Sequence, residues 1–382
     1  MREVVVYRHN LFRISEPFIV QQAGRLRRFK PLYLGRFRYG SVPLGAESLA
    51  LEDLAGLGRF HRLVSQVITR DPRSYLRLLA GRRPALIHAH FGVEGVYALR
   101  LAKRLGVPLV TTFHGFDATL STAAMLCSPV WANYPLFRKR LARQGDLFLC
   151  VSSFIRERVL ALGFPEERTH VHYIGVDTRA IRSRESAAEN PWILHVARLV
   201  EMKGTEYLIR AFSKVASDVP KAKLIIIGDG PRRRHLQQLG QSMGLGGQIQ
   251  FLGAQPHAEV INWMHKAAML VLPSVRTRTG RTEGLGMVVL EAAAAGVPAI
   301  GTRHGGIPEV IIDGETGYLV PERDTDELAV RMTALLMDRD KQRRMGGQAR
   351  ALVEARFDIE DRTAALELLY DEVLTHDQRR GR

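Results

Sequence analysis

"RTEGLGMVVLEAAAAGVPAIGT", residues 281–302, sets two carboxylates, Glu283 and Glu291, eight residues apart around a glycine-bracketed apolar run. Met287 to Ala295 reads as a buried helix that stops at Gly296, and "VPAIGT" reads as a short buried strand. A helix passing at once into a β-rich run is the building unit of a parallel α/β sheet. If the stretch were helical throughout, eight residues would rise about 12 Å and turn about 80°. The two carboxylates therefore do not converge on one small reacting centre. They suit two separated parts of one extended ligand, with the helix N-terminus between them. Its unpaired N–H groups and positive dipole favour a phosphate. Taken alone, the pair reads more simply as one surface glutamate before a helix and another within it.

The same rhythm runs outward through the chain. "EVVVYRH", "ALIHAH", "PLVTTFHG" and "LFLCVS" in the first half are matched by "WILHVAR", "AKLIIIGDG", "AAMLVLPS" and "VPAIGT" in the second. Short apolar runs separated by amphipathic helical segments form parallel sheets covered on both faces. Two such series predict an α/β protein of two Rossmann-like doubly wound domains. A length of 382 residues, 46% hydrophobic, also fits two cores better than one. The polar stretch "TRAIRSRESAAEN", residues 178–190, reads as the linker. The expected division is residues 1–178, residues 191–355, and a helical segment 356–382 expected to return toward the N-terminal domain. Helical breaks are expected near Asp338–Asp340 and Arg356–Asp358.

Composition narrows the function classes. No run approaches the roughly 18–20 uninterrupted apolar residues of a membrane span, and "MREVVVYRHN" reads as a first strand rather than a secretory signal. The two cysteines, Cys127 and Cys150, supply neither a disulfide framework nor a zinc spacing, which points to a reducing cytoplasm. The formal charge of +16 is uneven: residues 1–180 hold 27 Lys+Arg against 13 Asp+Glu, and residues 181–382 hold 28 against 26.

In open α/β sheets ligands bind beyond the C-terminal ends of the strands. "VPLVTTFHGFDAT" delivers His114, Gly115 and Asp117 to such an end, and "WILHVARLVEMKG" delivers Arg198 and Lys203 before a helix near Gly204. "LIIIGDGP" ends in Gly228, Asp229 and Gly230, and "VLPSVRTRTGRTEG" leads into Glu283. Polar or glycine-rich loops thus converge on four strand ends.

With "HGFD", "YIGVD", "ARLVEMKG", "GDGP", "TEGLGMVVLEAAAAGVPAIGT", "GGIPEVI" and "DGETGYLV" in this order, the chain resembles the family 4 retaining glycosyltransferases over nearly its whole length. "ISEPFI" and "HAHFG" are similar to the branch that assembles bacterial exopolysaccharide and other surface glycans. The resemblance implies the GT-B fold, two Rossmann-like domains facing across a cleft, acceptor side in the N-terminal domain and nucleotide-sugar donor side in the C-terminal one. It implies that Arg198 and Lys203 contact the donor diphosphate, where a guanidinium fork and an ammonium would offset charge that grows as the anomeric bond breaks. Glu283 would reach the transferred sugar, Glu291 the ribose hydroxyls, and backbone N–H groups around Gly284, Leu285 and Gly286 the distal phosphate. His114 would face the donor sugar, with Asp117 in the same loop orienting it. The implied reaction moves a sugar, with retention and without a metal or other cofactor, from a nucleotide-diphosphate sugar to a glycan or polyprenyl-diphosphate-linked glycan. The chain departs from the family in one place. "RHNLFRISEPF" stands where many members carry a paired-glycine loop after the first strand.

Sharper alternatives fit less well. "GDGPRR" starts like a dinucleotide fingerprint, but Arg233 occupies the third glycine's place. "DTD" at 324–326 matches a metal-binding D-x-D formally, yet its place before "ELAVRMTALL" makes Asp324 a helix cap. His88 and His90 share a strand face and with His114 offer a zinc set that lacks a further ligand. The carboxylates are not a glycosidase pair, which needs separations of about 5–10 Å across one bond. A sugar-nucleotide epimerase of the same fold and a basic nucleic-acid-binding protein are the rival functions. The second expects aromatics interleaved with basic residues or a recognisable module, and neither is present, so no nucleic-acid partner is expected. The basic stretch "GRLRRFKPLYLGRFRYG", residues 24–40, predicts instead reversible docking on an anionic cytoplasmic membrane surface.

Overall fold

A computed structural model describes residues 1–13, 15–54, 59–184 and 186–380. Ile14 of "ISEPFI", Glu185 of the expected linker and residues 381–382 of the C-terminal segment lie outside the described residues.

The chain forms two compact units, residues 1–175 with 359–382, and residues 176–358. The first is built on seven parallel strands: β1 (Arg2–Tyr7), β2 (Phe29–Gly35), β3 (Glu47–Ala50), β4 (Leu86–His90), β5 (Leu109–Phe113), β6 (Leu147–Cys150) and β7 (Thr169–Val171). Their spatial order is β3-β2-β1-β4-β5-β6-β7. The second unit repeats the pattern with β8 (Trp192–Val196), β9 (Lys223–Ile227), β10 (Ile249–Gly253), β11 (Met269–Leu272), β12 (Ala299–Thr302) and β13 (Gly317–Val320), ordered β10-β9-β8-β11-β12-β13. Both orders reverse direction beside the unit's first strand, the doubly wound arrangement in which ligands gather at the strand C-termini. A short parallel pair, Asn10–Leu11 with Phe37–Arg38, lies beside the first sheet.

The strands form because their side chains are apolar on both faces and both faces are covered. Val4, Val5 and Val6 are each at most 2% exposed, as are Leu224, Ile225, Ile226 and Ile227. Leu208, Ile209, Phe212 and Val215 cover one face of the second sheet from the Thr205–Asp218 helix. In the first unit the final helix, Ile359–Arg380, sets Leu366, Tyr370 and Val373 against Val4, Phe29, Leu86 and Val110.

Two readings of the sequence need correction. Residues 178–190 are no free linker: the unit boundary falls at 175/176, and Arg184 donates from Nε to the Gly296 carbonyl at 3.2 Å and from Nη1 to the Ala267 carbonyl at 2.5 Å. In return Arg350 donates to the carbonyls of Thr178 and Ile181 at 2.6 and 2.7 Å, which fastens the segment to the second unit. The basic stretch 24–40 is also not an open cationic face. Arg25 and Arg27 pair with Glu360 at 3.1 and 2.7 Å, Arg28 with Asp371, Lys30 with Glu47 at 3.2 Å, and Arg38 with Asp53 at 2.6 Å. Arg36 is buried, and its Nε donates to Gln66 at 2.7 Å. The expected breaks in the helical C-terminal third separate helices Thr325–Met337, Arg339–Arg356 and Ile359–Arg380.

Candidate functional site

Lys203 and Glu283, eighty residues apart in sequence, meet at strand ends of the second unit. Lys203 closes the turn after β8, where Gly204 adopts φ +65° against the Pro273 carbonyl. A Cβ on Gly204 would lie 1.8 Å from that oxygen, so glycine is what lets the two strand-end loops touch. Across this contact Lys203 Nζ lies 2.5 Å from Glu283 Oε2, which also accepts the Ser274 hydroxyl at 3.1 Å. The two side chains are only 17% and 12% exposed. Burial pushes the Glu283 carboxyl upward, but the Lys203 charge and the bonds from Lys203 and Ser274 outweigh it and hold Glu283 below the usual carboxylate range. The site therefore keeps a fixed ammonium and an ionised carboxylate side by side.

Arg198 sits on the same β8 loop with its side chain exposed and, among the described residues, unpaired. After burial, its charge is what lowers the Arg281 guanidinium. Like charges held together favour an anion. Gly286, at φ +90°, caps the Met287–Ala294 helix, with Gly284 and the buried Leu285 leading into it. Glu291 stands on that helix away from this cluster: His257 Nε2 donates to its Oε1 at 3.1 Å. The bond to Glu291, against partial burial, raises the His257 imidazole above its usual value. Among the described residues the two carboxylates share no hydrogen-bond partner.

In the first unit His114 follows β5. Its ring packs against Phe91 and Phe18, with centroids 4.5 and 5.1 Å away, and its Nε2 lies 3.1 Å from His90 Nδ1. Among the described residues the buried His114 Nδ1 has no hydrogen-bond partner. Burial first, then Arg8 and His88, hold the imidazole well below its usual range. His88 stacks on His90 at 4.4 Å and bonds Tyr370 and Thr112, each at 2.6 Å. Among the described residues no group of three or more His, Cys, Asp or Glu side chains is arranged to hold a metal ion. Asp324 caps the Thr325–Met337 helix, accepting from the Asp326 and Glu327 amides.

Asp117 does not orient the His114 ring. Its Oδ1 accepts the His114 and Gly115 amides at 3.2 and 2.9 Å, and its Oδ2 accepts the Gly92 amide at 2.8 Å. It acts on the backbone, tying the β5 loop to the helix that follows β4. Burial pushes its carboxyl up to about 6 against the downward pull of those amides. The loop that departs from the family pattern borders a small hollow lined by Arg8, Asn10, Phe12, Glu16 and Tyr33.

Sequence reading missed Ser274, His304, Glu322 and His257. Ser274 and His304 each stand within two residues of a strand C-terminus, and Glu322 follows β13. That position was the available signal.

Residues 177–352 match the family described as "Glycosyl transferases group 1", and residues 43–180 match "Glycosyltransferase Family 4". The chain is 31% identical over 305 residues to N-acetyl-alpha-D-glucosaminyl L-malate synthase of Bacillus anthracis, covering 77% of this chain and 76% of that protein. It is 35% identical over 249 residues to the putative colanic acid biosynthesis glycosyltransferase WcaL of Salmonella typhimurium, covering 64% of this chain. There it spans 59% of the relative's length. Among solved structures, Anabaena Alr3699/HepE in complex with UDP and glucose superposes with a TM-score of 0.78 over 97% of this chain and 100% of that one, at 20% identity. The last likeness speaks for the fold.

Proposed function

The chain belongs to the family 4 glycosyltransferases of GT-B fold, and on that premise we propose that it transfers a sugar, with retention, from a nucleoside-diphosphate sugar bound by the second unit. The acceptor is a glycan or a polyprenyl-diphosphate-linked glycan in bacterial surface-polysaccharide assembly. The Lys203–Glu283 pair, 2.5 Å apart at converging strand ends, carries the reading. It sets a cation for the leaving diphosphate beside a carboxylate for the sugar hydroxyls. Arg198 and the amides around Leu285 and Gly286 add to the positive side, acting where charge develops. Glu291 accepts from the ribose. His114 is the first unit's candidate for substrate contact. The acceptor oxygen attacks the anomeric carbon on the face the diphosphate leaves, and a diphosphate oxygen takes its proton. Supporting the reading are relatives named for colanic acid and amylovoran biosynthesis and a fold neighbour solved with UDP and glucose.

A thermal-shift series with UDP, GDP and ADP tests the donor site. The matching nucleotide at 100 times its Kd stabilises the second unit by about 2.7 kcal/mol. No shift with any of them would overturn the reading. Transfer proceeds in EDTA, because the fixed cations take the place of a metal; full loss restored by manganese would refute metal independence. Glu291→Gln keeps an acceptor for His257, so the fold survives. It raises KM for the donor about tenfold, roughly 1.4 kcal/mol, with kcat little changed, as expected for a contact made equally in ground and transition states. Steady-state kinetics in donor concentration reads the split.

Membrane docking remains part of the proposal but moves to another face. Residues 118–145 contain no Asp or Glu. On the Asn133–Gln144 helix, Leu136, Lys139, Arg140 and Arg143 are exposed at i, i+3, i+4 and i+7, and Leu126 and Val130 are exposed just before it. Each basic side chain near an anionic surface contributes about 1 kcal/mol. The chain therefore sediments with anionic vesicles at low salt and is released at roughly 0.5 M, where the Debye length shrinks to a few ångströms. Reversing Lys139, Arg140 and Arg143 to Glu abolishes sedimentation, while Arg25→Glu does not. Equal effects would reject this face.

A further inference from the structure

His304, in the loop after β12, is 4% exposed and touches Glu283 through the backbone. The Glu283 amide donates to His304 Nε2 at 3.2 Å. A peptide N–H only donates, so Nε2 carries a lone pair and the ring proton sits on Nδ1. Nδ1 faces Glu322 Oε1 at 2.6 Å, and the other oxygen of Glu322 accepts the Arg276 amide at 2.8 Å. Glu322 follows β13, Arg276 lies in the loop after β11, and His304 follows β12. One chain of hydrogen bonds thus joins three adjacent strand-end loops. The Glu283 peptide is held on its other side as well: the Gly306 amide donates to the Glu283 carbonyl at 3.2 Å. Gly305, at φ +57°, passes so close that a Cβ there would lie 2.1 Å from that oxygen.

We propose that His304 and Glu322 form a positioning relay that fixes the Glu283 peptide, and through it the direction of the Glu283 carboxylate toward Lys203 and Ser274. Neither residue touches the substrate. The relay makes the β11, β12 and β13 loops one rigid support, so that Glu283 is already aimed before the donor sugar arrives. The proposal rests on the reading that Glu283 contacts the transferred sugar, but its physical core, the tethered peptide, stands without it.

Two substitutions of one residue separate the relay from general packing. His304→Gln places a carbonyl oxygen near Nε2 and can still accept from the Glu283 amide. His304→Asn places its amide near Nδ1, can still donate to Glu322, and leaves the Glu283 amide without an acceptor. A misplacement of about 1 Å in a reacting group lowers turnover by roughly 100-fold. His304→Asn therefore loses kcat/KM for the donor by about that factor, while His304→Gln, which keeps the acceptor for the Glu283 amide but gives up the bond to Glu322, loses roughly tenfold, and Glu322→Ala, which gives up the same bond, loses at least as much. Hydrogen–deuterium exchange of the peptide spanning 276–290 in the full chain rises most in His304→Asn and by less in His304→Gln and Glu322→Ala. Nitrogen-15 shifts of the wild-type imidazole report the Nδ1–H tautomer. Equal losses in the Gln and Asn variants, unchanged exchange in His304→Asn, or an Nε2–H tautomer would overturn the relay. If the wild type turns over no nucleotide sugar, the parent function fails, while exchange and tautomer still decide the relay.

Discussion

Lys203→Ala lowers kcat by roughly 10²–10³-fold, the loss expected when one preorganised group facing developing charge is removed. Donor KM changes less, because the diphosphate gains charge as the anomeric bond breaks and the ammonium matters most at that moment. The ion pair adds a second signature in pH. In the wild type, burial pushes Glu283 up, and Lys203 with Ser274 brings it below the usual carboxylate range. A carboxylate depressed in the fold contributes stability above its unfolded value and loses it as pH falls through the folded value. Without Lys203, burial is only partly opposed, so the Glu283 pKa rises. The acid limb of the kcat profile moves to higher pH in Lys203→Ala, and the variant's stability relative to wild type improves as pH is lowered. Steady-state profiles from pH 4 to 9 on both proteins read this directly. A variant with wild-type turnover and an unshifted acid limb would remove the pair from the donor site.

Asp117→Ala destabilises the first unit by about 3–5 kcal/mol. The residue is 1% exposed and accepts three backbone amides, from Gly92, His114 and Gly115. Each buried donor left without an acceptor costs about 1–3 kcal/mol. Asp117→Asn costs less than half as much, because its remaining carbonyl oxygen still accepts the His114 and Gly115 amides and only the Gly92 amide loses its partner. Urea unfolding followed in the intact chain separates the two substitutions. Equal losses would mean that the carboxylate serves the His114 ring or the solvent rather than the backbone. The size of the effect follows from position: Asp117 closes the turn between β5 and the next short helix, Phe116–Thr119, and also holds the start of the Gly92–Leu105 helix.

Eight of the strands, the doubly wound fold class and the loops that carry His114, Arg198, Lys203 and Glu283 were legible in the amino-acid sequence, whereas β2, β3, β7, β10 and β13 were not. The reason is local. A strand buried on both faces must be apolar at successive positions, a covering helix must carry an apolar stripe, and parallel strands place every intervening polar loop at a strand end. The two glutamates of residues 281–302 could be told apart by helix geometry alone, and the structure gives them separate partners, Lys203 and Ser274 for Glu283, His257 for Glu291.

Partnership across sequence distance was decided only by the tertiary structure. Arg25, Arg27 and Arg28 read as an open cationic surface because the carboxylates that offset them, Glu360 and Asp371, lie more than 300 residues later. Asp117 read as a companion of the His114 ring because the third amide it accepts belongs to Gly92, 25 residues earlier. His304 and Glu322 carried no signal beyond standing after β12 and β13, yet both bond to the loops around Glu283. Apolar periodicity is written into neighbouring residues, so sequence alone determines where strands and strand-end loops fall. Which charge meets which, and which backbone group a buried side chain satisfies, depends on how the folded loops are brought together, and no local pattern records it.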